Sequence, residues 1–504
     1  MHFPRRGGIL LHITALPGPY GIGTLGANAL NFLDWLQAAG MSYWQICPLG
    51  PTGYGDSPYQ SFSAFAGNPN LIDLNNLVGL GLLDKADLLP LENLPDSHVD
   101  FGRIIPLKAA VLRSAWQRFQ RMGRLSKLSR NFRQFTAAED WLDDYSLFMA
   151  ARESQNGAPW NQWPRPLRFR EASALKELRS AQKDEANYQC FIQFLFHQQW
   201  QELKKEASAR GIGIIGDLPI FVSFDSADSW SHPELFQLDA ERNPTHAAGV
   251  PPDYFSTTGQ LWGNPLYNWQ AMEQNGFEWW LAILKNKLEL YDALRIDHFR
   301  GFAACWAVPG GEKTAENGFW QPSLGHELFQ KVKAVMGDVP LIAEDLGVIT
   351  DDVRALIDEF GFPGMKVLQF AFDSSEENNY LPHNYPHHCV VYTGTHDNDT
   401  TAGWYETASE HDKSAMRAYL NLPDGIDRKQ AAAAIVEAAY KSIADLAIVP
   451  VQDILGLGKE ARFNTPGVAG GNWTWRLPAD ALRAEISGRL LELMRVHKRL
   501  GGKT

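Results

Sequence analysis

The sequence predicts one α/β domain over residues 1–504, a (β/α)8 TIM barrel whose large insertions after barrel strands form subdomains around an active-site cleft. Three observations carry this. Eight short apolar runs recur along the chain, each closing in a polar or glycine-rich turn. The runs are continuous rather than alternating, as in parallel strands buried on both faces. Helical periodicity fills most of the intervals between them. An open doubly wound sheet is the rival, but it has no need of eight such units.

Taken in order, the first strand is ILLHIT from Ile9. Arg5 and Arg6 precede an apolar run that outwardly resembles a signal peptide. The run is short, broken by His12 and followed by PGPYGIG without a small-x-small cleavage site, so a strand explains it better. A helix over 26–39 leads to the second strand, YWQICPLG from Tyr43. A helix over 188–209 leads to GIGIIGDLPIFV from Gly211, and one over 277–291 to ALRIDHFRG from Ala293. Helices over 323–335 and 351–359 precede VPLIAEDLG from Val339 and MKVLQFAFD from Met365. CVVYTGTHD from Cys389, a helix over 427–445 and LAIVPVQDILG from Leu446 complete the series.

Two stretches interrupt the alternation. Residues 53–188 are too long for one βα unit and read as a helix-rich insertion. Residues 223–275 are rich in Pro, Gly, Asn and aromatics with little periodicity, and read as a loop-rich lid. Insertions after barrel strands build substrate clefts at the C-terminal face. Within the first insertion, eight basic residues and no acidic one lie between Lys108 and Arg133. A nucleic-acid or membrane helix is one interpretation. The favoured one is a solvated face beside Glu139, Asp140, Asp143 and Asp144, with Trp116, Phe119, Met122 and Leu125 as its apolar side.

Composition narrows the function. With 46 Lys and Arg against 58 Asp and Glu, the net charge is −12, which disfavours nucleic acid and anionic membranes as partners. Four scattered cysteines, with no C-x-x-C pair, predict buried thiols in a reducing compartment. No stretch approaches the roughly 18 apolar residues of a membrane span. A soluble, cytoplasmic protein is expected. The chain carries 17 Trp, 15 Tyr and 27 Phe, enough both to fill a core and to line a site for something with flat apolar faces. Trp35 and Trp44 fall in periodic segments and are assigned to the core. Tyr54, Tyr59, Tyr254, Phe255 and Trp262 fall in loops and are assigned to the cleft.

Three strands end in charged clusters: Arg295, Asp297, His298 and Arg300; Glu344 and Asp345; His396, Asp397 and Asp399. A structural salt-bridge ring would satisfy one cluster, but three at the same end of a barrel indicate catalysis. Side chains alternate along a strand, so Arg295 and Asp297 share a face, and a guanidinium there favours the ionised carboxylate a nucleophile requires. Glu344, after an apolar run, is suited to partial desolvation and a retained proton. One ionised and one protonated carboxyl is the arrangement for glycosidic-bond chemistry. Asp397 would steady positive charge on a sugar ring, with His298 and His396 as hydrogen-bond donors. Core packing or metal ligation are the other roles for those histidines, although no H-E-x-x-H or similarly tight spacing supports a metal.

These clusters, with GDLPIFVSFDSADSW, AGVPPDYFSTTGQLWGNPLYNW and YGDSPYQSFSAFAGNPNLIDL, resemble the 4-alpha-glucanotransferases called amylomaltases or disproportionating enzymes, glycoside hydrolase family 77 of the alpha-amylase clan. The resemblance runs from about Arg6 to Arg476. It implies a retaining double displacement in which Asp297 is the nucleophile, Glu344 the general acid and base, and Asp397 the transition-state stabiliser. It also implies that Ser57, Tyr59, Asp253, Gln260, Trp262, Arg295, His298, Phe370, His396 and Asn464 contact or close over glucan. Phe101 stands where some relatives carry a tyrosine that, with Tyr54, forms a remote glucan-binding groove. Alpha-1,4-glucans and maltooligosaccharides are the implied donors and acceptors, with glucose as acceptor or product. No redox cofactor or nucleotide is implied, because the donor is itself a glycoside, and no metal is expected. The alternatives are an amylase-like retaining hydrolase and a non-catalytic glycan-binding barrel.

Overall fold

The structure, a computed structural model, describes residues 2–252, 256–373, 375, 377–468 and 470–501. Among the described residues there are twelve strands: β1 (Arg6–Leu10), β2 (Tyr43–Gln45), β3 (Gly213–Leu218), β4 (His246–Val250), β5 (Gln260–Pro265), β6 (Ala293–Ile296), β7 (Ala304–Pro309), β8 (Phe319–Pro322), β9 (Leu341–Ala343), β10 (Gly364–Val367), β11 (Cys389–Tyr392) and β12 (Leu446–Pro450). Eight of them, in the order β10-β11-β12-β1-β2-β3-β6-β9, form a parallel sheet. The Ala343 N–H donates to the Pro363 carbonyl at 3.0 Å, drawing β9 to the start of β10 and closing the (β/α)8 barrel. Each predicted strand supplies one of the eight.

Strand alternation sorts the side chains into two apolar sets. Ile215, Ala293, Ile342, Val390, Tyr392, Leu446 and Ile448 fill the barrel interior. Their neighbours Ile214, Leu294, Leu341, Val391, Ala447 and Val449 join the outer core. The interior is narrow: a Cβ at Gly8 would lie 2.7 Å from the Tyr43 carbonyl oxygen and 2.6 Å from Ile448. Continuing the same parity past the strand ends aims Asp217, Arg295, Asp297 and Glu344 into the barrel mouth.

The first insertion is helical, with Phe101–Arg121, Lys127–Ala138 and Trp141–Ser154 packed on Lys183–Ala209. The last helix begins before the predicted 188, because Asp184 accepts from Trp116 Nε1 at 3.0 Å and Glu185 pairs with Arg113. Within the basic stretch Arg113 pairs with Glu185 and Arg118 with Asp84 and Asp87, not with the acidic run after 138. Two of its members depart from expectation. Lys108 is buried, donating to the Asn70 carbonyl at 2.6 Å. Leu125 is 82% exposed and does not belong to the apolar side formed by Trp116 and Phe119.

The second insertion is more regular than its composition suggests. β4 and β5 form an antiparallel hairpin, which pairs with β7 and β8 into a four-stranded sheet, order β5-β4-β7-β8. The β7–β8 segment follows β6 and was not legible as strand. Gly259 turns the hairpin at φ 68°, where a Cβ would sit 2.4 Å from the Val250 carbonyl oxygen. A C-terminal helix, Ala484–Val496, also escaped the periodicity. Buried Arg499 latches that end onto the barrel by donating to the carbonyls of Tyr440, Ser442 and Ala444. Trp35 and Trp44 are buried in the core, as their periodic positions predict.

Candidate active site

The C-terminal mouth of the barrel collects the charged strand ends. Arg295 is buried at its centre, one nitrogen donating to Asp217 Oδ2 at 2.6 Å and another to Asp297 Oδ1 at 2.7 Å. The β3–β6 register sets Asp217 directly beside Arg295. The guanidinium fork thereby holds Asp297 in a fixed orientation while leaving it partly open to the cleft.

Glu344 sits across from this pair. Its Oε2 accepts the His298 N–H at 2.7 Å and its Oε1 the Leu346 N–H at 2.8 Å. His298 turns its N–H toward Glu344 by adopting a left-handed backbone, φ 48°. Burial and the neighbouring Asp297 push the Glu344 carboxyl up to about 7, against Arg295 and the two N–H groups. Two carboxyls in the same mouth are thus set apart by environment, one against a guanidinium and one holding its proton.

Asp397 lies against the wall built by the segment after β12. Its Oδ1 accepts from Asn464 Nδ2 at 2.6 Å, and Oδ2 stands 3.3 Å from His396 Nε2. Burial acts to raise this carboxyl, but His396 and the Asn464 amide outweigh it and hold it well below the usual carboxylate range. Arg462 braces the segment by donating to the carbonyls of Asp397 and Asn464 at 2.9 and 2.8 Å.

Aromatic rings line the approach. Tyr59 stacks on His396, centroids 5.2 Å apart, and its hydroxyl donates to Asp217 Oδ2 at 2.8 Å. Trp473 closes the group at 5.8 Å from each ring. Ser57 acts through this cluster, its Oγ accepting the Tyr59 N–H at 3.2 Å. On the facing side the hairpin brings Trp262 edge-on to His298, centroids 4.8 Å apart, and Gln260 accepts from Trp262 Nε1 at 3.2 Å. Burial lowers His298 to about 4, keeping the ring neutral, and its Nε2 is buried without a hydrogen-bond partner among the described residues. An unpartnered buried nitrogen at a cleft is suited to a ligand hydroxyl.

Of the predicted site residues, Tyr59, Ser57, Gln260, Trp262, Arg295, Asp297, His298, Glu344, His396, Asp397 and Asn464 converge on this mouth through these contacts. Phe370, after β10, is half-buried and packs edge-on against Tyr380, centroids 5.4 Å apart. Asp253, Tyr254 and Phe255 lie outside the described residues. Tyr54 is 79% exposed but Phe101 is 6% exposed and faces the core, so the two do not form a surface pair. Asp217, Arg462 and Trp473 were missed. Asp217 had a signal, the carboxylate closing the apolar run GIIGDL, whereas nothing local marks the other two.

Asp217 has a testable role as a positioning residue. Removing its charge leaves buried Arg295 with one carboxylate, so Asp217→Asn should cost about 3–5 kcal/mol of stability. Through displacement of Asp297 and Tyr59 it should also lower kcat roughly 10- to 100-fold, with a much smaller change in KM. Urea unfolding and steady-state kinetics check both; a kcat near wild type would remove the positioning role.

The chain matches the family model described as glycoside hydrolase 77, 4-alpha-glucanotransferase, over residues 11–482. A 4-alpha-glucanotransferase of Thermus thermophilus is 52% identical over 506 residues, covering 99% of this chain and 100% of that one. A 4-alpha-glucanotransferase of Synechocystis is 50% identical, covering 96% of each. Among solved structures, amylomaltase from Streptococcus agalactiae in complex with acarbose superimposes with a TM-score of 0.95 at 38% identity, covering 99% of this chain and 100% of that one.

Proposed function

The chain belongs to the 4-alpha-glucanotransferase family, glycoside hydrolase 77, and from that premise we propose the part each residue of the mouth takes in the transfer. The enzyme moves segments of an alpha-1,4-glucan to the 4-hydroxyl of an acceptor glucan or glucose by a retaining double displacement. In our assignment an Asp297 oxygen attacks the anomeric carbon as Glu344 gives its proton to the departing glycosidic oxygen. The leaving glucan departs as an alcohol, and a β-glycosyl ester of Asp297 remains. The acceptor then enters, Glu344 takes the proton of its 4-hydroxyl, and that oxygen displaces Asp297 to restore the α configuration.

The observation that carries this assignment is the environment of the two carboxyls: Asp297 held by Arg295, and Glu344 raised to about 7. Asp397, kept anionic by His396 and Asn464, would face positive charge developing on the ring. Tyr59 and Trp262 offer ring faces to the C–H surfaces of glucose, and Gln260, His298, His396 and Asn464 offer polar groups to its hydroxyls. Asp253 and Phe370 complete the glucan contacts in this scheme. The hairpin carrying Gln260 and Trp262 would exclude water while admitting a sugar hydroxyl, favouring transfer over hydrolysis. Residues 1–504 act as one catalytic unit in the cytoplasm, supported by four unpaired cysteines. Among the described residues no helix is long and apolar enough to cross a membrane.

Incubation with maltotriose tests the proposal. Glucose and longer maltodextrins should accumulate with little rise in total reducing ends. A steady climb in reducing ends would mark a hydrolase, and no product would mark a binding protein.

A further inference from the structure

At the opposite end of the barrel, three side chains with metal-ligating atoms meet: His2, His388 and Asp445. One ligand atom from each lies within 4.8 Å of the others, the one such group of three or more among the described residues. Two of the three immediately precede adjacent parallel strands: His388 comes before β11 and Asp445 before β12. His2 lies just ahead of β1, the next strand in the sheet, and is placed by Phe3, which is buried in the barrel interior. All three therefore sit at the N-terminal end of the barrel, away from the carboxylates that follow the strands.

The hydrogen bonds of His388 single out this cluster. Its Nε2 lies 2.9 Å from the Gly361 carbonyl, an acceptor only, so that nitrogen carries the proton. Its Nδ1 faces Asp445 Oδ2, 3.4 Å away. At this separation the ring nitrogen and the carboxylate oxygen share a cation, which is either a proton on Nδ1 or a metal ion bound by both. A separation of 3.4 Å is also the edge of a tetrahedron whose centre lies about 2.0–2.1 Å from each corner, the Zn–N and Zn–O distance. A metal-bound histidine whose other nitrogen donates to a main-chain carbonyl is the usual outer-sphere arrangement. The His2 ring lies beside it, with its centroid 4.3 Å from that of His388 and a ring nitrogen within 4.8 Å of the other two ligand atoms. Arg5 lies in the field of Asp445, but its guanidinium is committed to the carbonyls of Tyr440, Ser442, Ala444 and His497.

We propose that His2, His388 and Asp445 bind one divalent cation of the zinc class, with water completing the shell, and that the ion ties the N-terminal segment to β11 and β12. Two imidazoles and one carboxylate suit zinc rather than calcium or magnesium, which take all-oxygen sites. Features at the N-terminal face of such a barrel serve stability, so the ion should stabilise the fold without altering transfer.

The test is titration of the chelator-treated full-length enzyme with zinc chloride, followed by calorimetry and thermal unfolding. One zinc should bind per chain, the unfolding midpoint should rise by a few degrees at saturating zinc, and the rate of maltotriose disproportionation should stay unchanged. His2→Ala alters only an exposed side chain, so it should fold normally and lose both the binding and the rise. His388→Ala should lose them as well. Absence of saturable one-to-one binding, or binding and stabilisation that survive His2→Ala, would overturn the proposal.

Discussion

Asp297→Asn should lower kcat/KM for glucan transfer by roughly four to six orders of magnitude while leaving oligosaccharide affinity within about threefold. The size follows from the covalent step, since an amide oxygen does not form the glycosyl ester on which both half-reactions depend. Affinity is spared because asparagine keeps the shape and one acceptor oxygen, and because Arg295 retains its 2.6 Å contact with Asp217. The stacked Tyr59 and His396 and the Trp262 hairpin are untouched by the change. Calorimetric titration with a maltooligosaccharide and a transfer assay on one preparation measure the two quantities together. Turnover near wild type would assign the nucleophile elsewhere. Loss of binding together with turnover would make Asp297 a structural rather than chemical partner of Arg295.

Glu344→Gln should reduce transfer from an ordinary maltooligosaccharide by about 10³- to 10⁴-fold, the upper range for general acid–base catalysis. The defect should depend on the leaving group. An α-maltosyl fluoride donor needs no proton to depart, so the first half-reaction should recover most of its rate. The second half-reaction still lacks its base and should leave the glycosyl-enzyme to accumulate. If the fluoride is cleaved as slowly as maltotriose, Glu344 acts by holding His298 and Leu346 rather than by moving a proton.

The acidity of Glu344 fixes the sign of the accompanying pH dependence. Its carboxyl is raised from the ordinary value of 4.5 to about 7, so the proton needed by the departing oxygen is present below that pH and lost above it. Wild-type kcat/KM should therefore fall about tenfold per unit above pH 7. With the fluoride donor, the Gln variant should lose that alkaline limb. A limb that persists unchanged in the variant would belong to another group.

Much of this was open to sequence reasoning because strand periodicity is local. Apolar runs mark buried parallel strands wherever they pair, and alternation puts Arg295 beside Asp297 before any tertiary contact is known. The lid was less legible. Its Pro, Gly and Asn content reads as loop, yet β4 and β5 pair with the segment 304–322, and strands formed through such pairing leave a weak imprint on either partner alone. Leu125 fails for a related reason: helical periodicity predicts an apolar face but not where the helix ends or what covers it. Leu125 follows the last turn of Phe101–Arg121 into solvent, while Phe101, in its first turn, is turned inward.

By itself, then, the sequence determined the eight-fold strand repeat, the charged residues at the strand ends and the face on which Arg295 and Asp297 lie, all set by spacing along a single strand. Only the tertiary structure decided the company those residues keep. Asp217 reaches Tyr59 across 158 positions, and Asn464 reaches Asp397 across 67. Such contacts arise from barrel closure and from loops folding over its mouth, where packing and hydrogen-bond satisfaction choose partners that local propensity does not encode. The same closure brings His2, His388 and Asp445 together at the other end.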